Sequence, residues 1–248
     1  MKKRIHFPLW IVYGIPVFLW AYTYFYHIYN ISNGLQVYRE YGFIENVTDV
    51  MLLIAIILFL VCLKKVELFW EKLWLLVLAA GAIYFLGEEI SWGYHLFHYH
   101  VSDEWVQLNC QKEPNLHNLP GIYGILFDKL PRQLLSIGVI IGGILGVIAD
   151  RRDSWPNNIL FRRLIPSGET LFVAVAASVV TVPEKILEHI WAETPKWFIL
   201  GNAGGELKEG FLAFFIMLYA YGLFRIFSHS SGNGVVDSVR TASPPDIQ

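Results

Sequence analysis

Apolar residues dominate six stretches of the chain, separated by shorter polar segments. Each stretch is close to the roughly 20 residues that an α-helix needs to cross about 30 Å of hydrocarbon. A bilayer offers backbone polar groups no other partner, so all six stretches are predicted to be helices. The predicted spans are residues 8–28, 44–63, 73–97, 133–149, 168–187 and 207–227.

This pattern predicts an all-α fold, a polytopic membrane helix bundle of about six transmembrane helices in one domain over residues 1–227. Residues 228–248 combine a Ser-His-Ser-Ser-Gly-Asn-Gly run with a late Pro-Pro, which predicts a disordered cytoplasmic tail. An apolar stretch at 121–135 interrupts the long loop before the fourth span. We expect that stretch to lie in the membrane interface or to re-enter the membrane.

The composition narrows the class of protein. Of the 248 residues, 55% are hydrophobic and only 16% charged, whereas a soluble domain is about 25% charged. This excludes a disordered chain, a nucleic-acid-binding protein with a basic face and most cytosolic enzymes. The lipid bilayer is therefore the expected surrounding, and no nucleic-acid partner is expected.

The distribution of charge predicts the orientation. Twelve of the 19 Lys and Arg residues fall on the side that holds the N-terminus, and fourteen of the 21 Asp and Glu residues fall on the other side. Basic residues stay on the cytoplasmic side of a membrane. Both termini are therefore predicted to be cytoplasmic.

Acidic side chains inside a membrane are costly and often functional. Glu88 and Glu89 lie about 15 residues into the predicted third span, roughly 23 Å along the helix at 1.5 Å per residue. If that helix is continuous, Ser91 and His95 share a face with Glu88. Acids and one histidine at the same outer level come from the second, fifth and sixth spans: Glu45, Asp49, Glu184, Glu188, His189, Glu206 and Glu209.

Carboxylates and imidazoles at one depth are the ligand set of a divalent transition metal such as zinc, manganese or iron, or they line a water-filled acid/base pocket. Glu88, Glu89, Ser91 and His117 are the candidate catalytic residues. The candidate metal ligands are His95, Glu184, Glu188, His189, Glu206 and Glu209. His117, in the outer loop, would close over the pocket as a ligand or base, or its neighbours Asn115 and Asn118 only form turn hydrogen bonds.

Structural alternatives stand beside these roles. Glu206 and Glu209 follow two glycines at the start of the last span, where acids complement the helix dipole. Glu184 fits a capping box with Pro183 near a helix start, which would kink the fifth span. Glu188 and His189 would then lie on the solvent-exposed face of a helix in the membrane interface.

A stripe of glycines at positions 138, 142 and 146 marks one face of the fourth span. Small residues at this spacing let helices approach closely. The stripe predicts close packing inside the monomer or, as the alternative, an oligomer formed through Gly138, Gly142 and Gly146.

Two motifs carry a resemblance to known proteins. The stretch Gly-Glu-Glu-Ile-Ser-Trp-Gly at 87–93 and the stretch Asn-Leu-His-Asn at 115–118 resemble elements of a group of bacterial multipass membrane proteins that has no established activity. The resemblance implies a bacterial inner-membrane protein.

Ser91 and His95 also form a Ser-x3-His element that is similar to one in the alkaline ceramidase and adiponectin-receptor-like membrane hydrolases. That resemblance implies zinc and a lipid amide substrate. The late His-x3-His pair of those hydrolases is absent here, and the last span offers Glu206 and Glu209 instead.

Three functions stay open at this stage. The first is a metal-dependent hydrolase or transferase that acts on a lipid-type substrate at an extracytoplasmic Glu/His pocket. The second is a non-catalytic membrane assembly or sensory protein, and the third is a cation or proton transporter. The sparse polar residues in the inner halves of the spans disfavour a transport path.

Overall fold

The computed structural model describes residues 6–35, 42–109, 113–152, 159–190 and 202–240, and these are helical with connecting turns and no strand. A 3₁₀ turn at Ser91–Gly93 and a π-helical turn at Ile125–Lys129 join some of the helices. The α-helices are α1 Leu9–Ser32, α2 Phe43–Leu63, α3 Phe69–Glu89, α4 Tyr94–Phe97, α5 Asp103–Leu108, α6 Ile122–Gly124, α7 Leu130–Arg151, α8 Ile159–Leu164, α9 Thr170–Val179, α10 Val182–Ile190 and α11 Asn202–Arg240.

Five helical segments are long and apolar enough to cross a membrane: Leu9–Ser32, Phe43–Leu63, Phe69–Glu89, Ile122–Arg151 and Ala203–Ser228. They coincide with five of the six predicted spans. The all-α helix bundle is thus confirmed, and the chain is a multi-pass membrane protein by the length and composition of its helices.

The predicted span at 168–187 differs from the structure, which divides it into α9 and α10. Pro183 is the second residue of α10, a position that suits proline because the first helical N–H groups have no partner within the helix. At ten residues, α9 is about 15 Å long, half the thickness of the hydrocarbon.

The predicted third span also ends early, because α3 stops at Glu89 instead of continuing to Phe97. Three successive residues then take positive φ angles: Ser91 at 45°, Trp92 at 52° and Gly93 at 85°. This left-handed turn redirects the chain. Glu88 and Glu89 therefore lie in the last turn of α3 and not in mid-span, and Glu88 and His95 do not share a continuous helix face.

The fourth span begins earlier than predicted. α6, the π-helical turn and α7 form one helical run over Ile122–Arg151, so the apolar stretch at 121–135 is part of the span and not a separate re-entrant segment. The Tyr84 hydroxyl of α3 donates a 2.6 Å hydrogen bond to the carbonyl oxygen of Phe127 in the π-helical turn. This contact fixes the start of the fourth span against α3.

The last helix extends into the segment that was predicted to be a disordered cytoplasmic tail, residues 228–248, and the disorder of that segment stays a prediction. α11 continues to Arg240, because each residue added to an existing helix gains a hydrogen bond without a new nucleation cost. Residues 241–248 of the predicted tail lie outside the described residues.

The core forms where α11 packs on α2, with α3 against α2 and with α9 between α7 and α11. A Cβ atom on Gly143 would lie 2.8 Å from the Leu171 Cα atom, and one on Gly146 would lie 2.7 Å from the Pro166 carbonyl oxygen. Such close approach requires glycine. The largest fully buried hydrophobic side chains in this core include Phe59, Phe214, Phe227, Leu52, Leu75 and Leu212.

The glycine stripe is covered in part by this same chain. Gly142 faces the Pro166 ring and Gly146 the Pro166–Ser167 backbone, whereas a Cβ atom on Gly138 would meet nothing within 4 Å. The stripe thus serves packing inside the monomer at two of its three positions. An oligomer formed through it stays a prediction.

Candidate functional site

Three carboxylates converge at one end of the bundle. One ligand oxygen from each of Glu89, Glu206 and Glu209 lies within 4.8 Å of the others. Glu89 is the last residue of α3, and the other two stand three residues apart in the first turns of α11. Glu209 is buried and the other two are half-buried. We call these three residues the carboxylate cluster.

Arg132 binds the buried member of the carboxylate cluster. Its Nη2 atom lies 2.9 Å from Glu209 Oε1 and 3.0 Å from Asp128 Oδ1. Asp49 of α2 adds a further negative charge that acts on both Glu89 and Glu206. Acids from four membrane helices thus lie near one another here, and Arg132, which is 39% exposed, binds two of them.

Sequence reasoning missed Arg132 and Asp128. Both lie in the apolar stretch at 121–135, which was predicted to be interfacial or re-entrant and not part of the fourth span. Their i,i+4 spacing of opposite charges was the available signal, since such pairs face each other on a helix.

Glu88 serves a different purpose, although it is the neighbour of Glu89. Its Oε1 atom accepts a 2.7 Å hydrogen bond from Trp92 Nε1. Its Oε2 atom accepts 2.8 Å bonds from the backbone N–H groups of Leu116 and His117, and lies 3.1 Å from His117 Nδ1. Glu88 is 5% exposed. A buried carboxylate with four donors clamps the outer loop onto the end of α3.

The left-handed turn makes this clamp possible. It turns the Trp92 indole back over α3, where a Cβ atom on Gly87 would lie 2.9 Å from Trp92 Cζ3. Only glycine at position 87 leaves room for the ring without a shift. The Gly-Glu-Glu-Ile-Ser-Trp-Gly motif therefore encodes a helix end, a packing surface for tryptophan and the clamp.

Ser91 joins a second set of hydrogen bonds beside the clamp. Its hydroxyl donates to Glu113 Oε2 over 2.5 Å and accepts from Asn115 Nδ2 over 3.1 Å. Asn109 Nδ2 in turn donates to the backbone and side-chain oxygens of Asn115, at 2.7 and 3.0 Å. Ser91 and Asn115 are both buried, so this network holds the outer loop against the end of α3 through buried hydrogen bonds.

His117 lies between the clamp and the carboxylate cluster. Its Nδ1 atom faces Glu88, and its Nε2 atom lies 3.0 Å from Asn118 Nδ2. The ring is near enough to Glu209 for a proton gained by the ring to act on that carboxylate. A carboxylate partner requires a proton on Nδ1, and an amide donor requires a lone pair on Nε2. The contacts thus assign the tautomer whose basic nitrogen is Nε2.

The other predicted site residues lie on α4 and α10. His95 lies on α4 beyond the left-handed turn, and Glu184 and Glu188 lie on α10; their side chains fall outside the described residues. His189, also on α10, is exposed. Among the predicted metal ligands whose side chains the structure describes, Glu206 and Glu209 meet, and they meet Glu89, which was predicted as a catalytic residue.

No protein-family model, curated protein or solved structure matches this chain. The resemblances noted in the sequence therefore stay predictions. The structure does bring the two motifs of the first resemblance together, since Glu88 of one motif binds His117 of the other.

Proposed function

We propose that this membrane protein is a metal-dependent hydrolase or transferase that acts on a lipid-type substrate, with a divalent transition metal held by Glu89, Glu206 and Glu209. The convergence of these three ligand oxygens within 4.8 Å carries the proposal. Zinc, manganese and iron all accept carboxylate ligands.

The electrostatics of the carboxylate cluster favour a bound cation. Two unit charges 4.8 Å apart repel by about 3 kcal/mol at an effective dielectric constant of about 20. Arg132 reaches Glu209 directly, but it also neutralises Asp128. A divalent cation among the three oxygens offsets the remaining repulsion better than one shared arginine does.

His117 is the proton acceptor in this proposal. A metal held by the carboxylate cluster would supply a water of lowered pKa as the nucleophile for an ester or amide substrate. The lone pair on His117 Nε2 would take one proton from that water in place of the Asn118 contact and return it to the leaving oxygen or nitrogen. The products would be a carboxylic acid and an alcohol or amine. Glu88 holds the Nδ1 proton and keeps the ring oriented.

Ser91 has a supporting role here and is not the nucleophile. Its hydroxyl is engaged by Glu113 and Asn115. A lipid substrate fits the position of the carboxylate cluster, at the ends of apolar helices long enough to cross a membrane. We expect that end of the bundle to be extracytoplasmic, from the distribution of charge.

The test is elemental analysis of the detergent-purified protein beside its Glu89→Gln and Glu206→Gln variants. Each variant should lose one metal equivalent relative to the parent protein. Glu104→Gln changes an exposed acid on α5 and should lose none. Equal metal content in the parent and both cluster variants would refute the site.

The same proteins are then incubated with vesicles that contain a phospholipid or a ceramide, and the products are followed by mass spectrometry. Turnover that needs Glu89 supports the enzyme. Metal binding without turnover would replace it with the sensory or assembly function. Cation uptake into proteoliposomes that depends on Glu89 would replace it with transport.

A further inference from the structure

A second group of metal-ligating side chains lies at the opposite end of the bundle. One ligand atom from each of His6, Asp150 and Glu169 lies within 4.8 Å of the others. Asp150 stands 18 residues after Arg132 on the same helix, about 27 Å away at 1.5 Å per residue. This group is therefore separate from the carboxylate cluster.

The three residues come from distant parts of the chain. His6 precedes α1, Asp150 lies in the last turn of α7, and Glu169 immediately precedes α9. The imidazole Nδ1 atom of His6 contacts Glu169 Oε1 directly. The Glu169 side chain is 17% exposed and the His6 side chain 51% exposed, so the histidine forms the open side of the group.

Donors in the turn before α9 bind one oxygen of each carboxylate. The Ser167 hydroxyl donates to Glu169 Oε2, and the Gly168 N–H group donates to Asp150 Oδ2 over 2.7 Å. A Cβ atom on Gly168 would lie 2.4 Å from Asp150 Oδ2, so this approach requires glycine. Metal-binding carboxylates are commonly oriented by outer hydrogen bonds of this kind.

We propose that His6, Asp150 and Glu169 form a second divalent metal site, which takes a cation of intermediate hardness such as Zn²⁺. A neutral imidazole and two carboxylates balance the charge of one divalent cation. The mixed nitrogen and oxygen ligand set suits zinc. The site joins the segment before α1 to α7 and α9, so its role is structural.

The test is a Zn²⁺ titration of the full-length protein in detergent, with bound zinc counted after gel filtration. With both proposed sites present, the parent should bind two equivalents, and His6→Ala and Asp150→Asn one each. His100→Ala removes another exposed histidine and should leave two. His6 is exposed, so its removal is compatible with folding.

A second readout separates this site from the carboxylate cluster. Zinc should raise the thermal midpoint of Glu89→Gln, in which this site alone remains, and should not raise that of a Glu89→Gln/His6→Ala double variant. If the carboxylate cluster binds no metal, the parent still binds one equivalent and His6→Ala none. Equal zinc content in the parent, His6→Ala and Asp150→Asn would overturn the proposal and leave a simple ion pair.

Discussion

Replacement of Glu88 by glutamine tests whether the outer loop is held by one buried carboxylate. The substitution keeps the size of the side chain but removes its charge and exchanges one acceptor oxygen for an NH₂ group. The amide oxygen can face the backbone N–H groups of Leu116 and His117. The new NH₂ group then faces the indole N–H of Trp92, which is also a donor.

The expected cost follows from these contacts. Hydrogen bonds to a charged group contribute about 1.5–3 kcal/mol, and neutral ones about 0.5–1.5 kcal/mol. With the charged bonds at the lower end of their range and the neutral ones in the middle of theirs, Glu88→Gln weakens the three bonds at Oε2 by roughly 0.5 kcal/mol each. It also loses about 1.5 kcal/mol with the bond from Trp92, so we expect about 3 kcal/mol. Glu88→Ala leaves all the donors without a partner and should cost about 3–5 kcal/mol.

Hydrogen exchange followed by mass spectrometry measures this directly, because the amides of Leu116 and His117 are themselves donors to Glu88. A cost of about 3 kcal/mol corresponds to roughly 100-fold faster exchange through local opening. The control is Glu104→Gln on the exposed face of α5, which should leave these amides unchanged.

A double-mutant cycle isolates the contribution of the indole. In a Trp92→Phe background there is no N–H group to oppose the glutamine NH₂ group, so the cost of Glu88→Gln should fall by about 1–2 kcal/mol. Unchanged protection of the loop in Glu88→Gln would refute the clamp. An undiminished cost in the Trp92→Phe background would refute the assigned role of the indole.

Two glycine substitutions test the close contacts against matched controls on the same helices. Gly87→Ala would place a Cβ atom 2.9 Å from the Trp92 ring and should cost about 1–3 kcal/mol, whereas Gly81→Ala on α3 meets nothing within 4 Å and should not destabilise. Thermal unfolding in detergent compares them, and equal midpoints would contradict the packing. Gly146→Ala, 2.7 Å from a carbonyl oxygen, should likewise be less stable than Gly138→Ala, which meets nothing; a lower midpoint for Gly138→Ala would instead point to an interface there.

Hydrophobic runs predicted most of the fold because burial in lipid constrains length and composition strongly. The same runs hid the end of α3. Ile90, Trp92 and Phe97 continue the apolar pattern, whereas Ser91 and Trp92 adopt positive φ angles that the sequence alone does not predict for such residues. Only the tertiary contacts of Trp92 with Gly87 and Glu88 explain why the chain accepts this conformation.

The sequence predicted how deep in the membrane the residues of the candidate site lie. Glu89, Glu206 and Glu209 were placed at one level from their positions in the spans, and the structure brings their side chains together. The positions of the helices in the plane of the membrane could not be predicted, because hydropathy does not show which helices are neighbours. Arg132 entered the site because the fourth span begins at Ile122, eleven residues before its predicted start.

The pair Glu88 and Glu89 shows how one helix end serves two purposes. Adjacent helical residues point about 100° apart, so one carboxylate faces the outer loop while the next faces α11. His117 connects the two, since its Nδ1 atom binds Glu88 and its ring is near enough to Glu209 to interact with that carboxylate electrostatically. The clamp therefore sets where the imidazole stands relative to the carboxylate cluster. In the proposed site Glu88 is a positioning residue, and the residues that would face a cation are Glu89 and its two partners on α11.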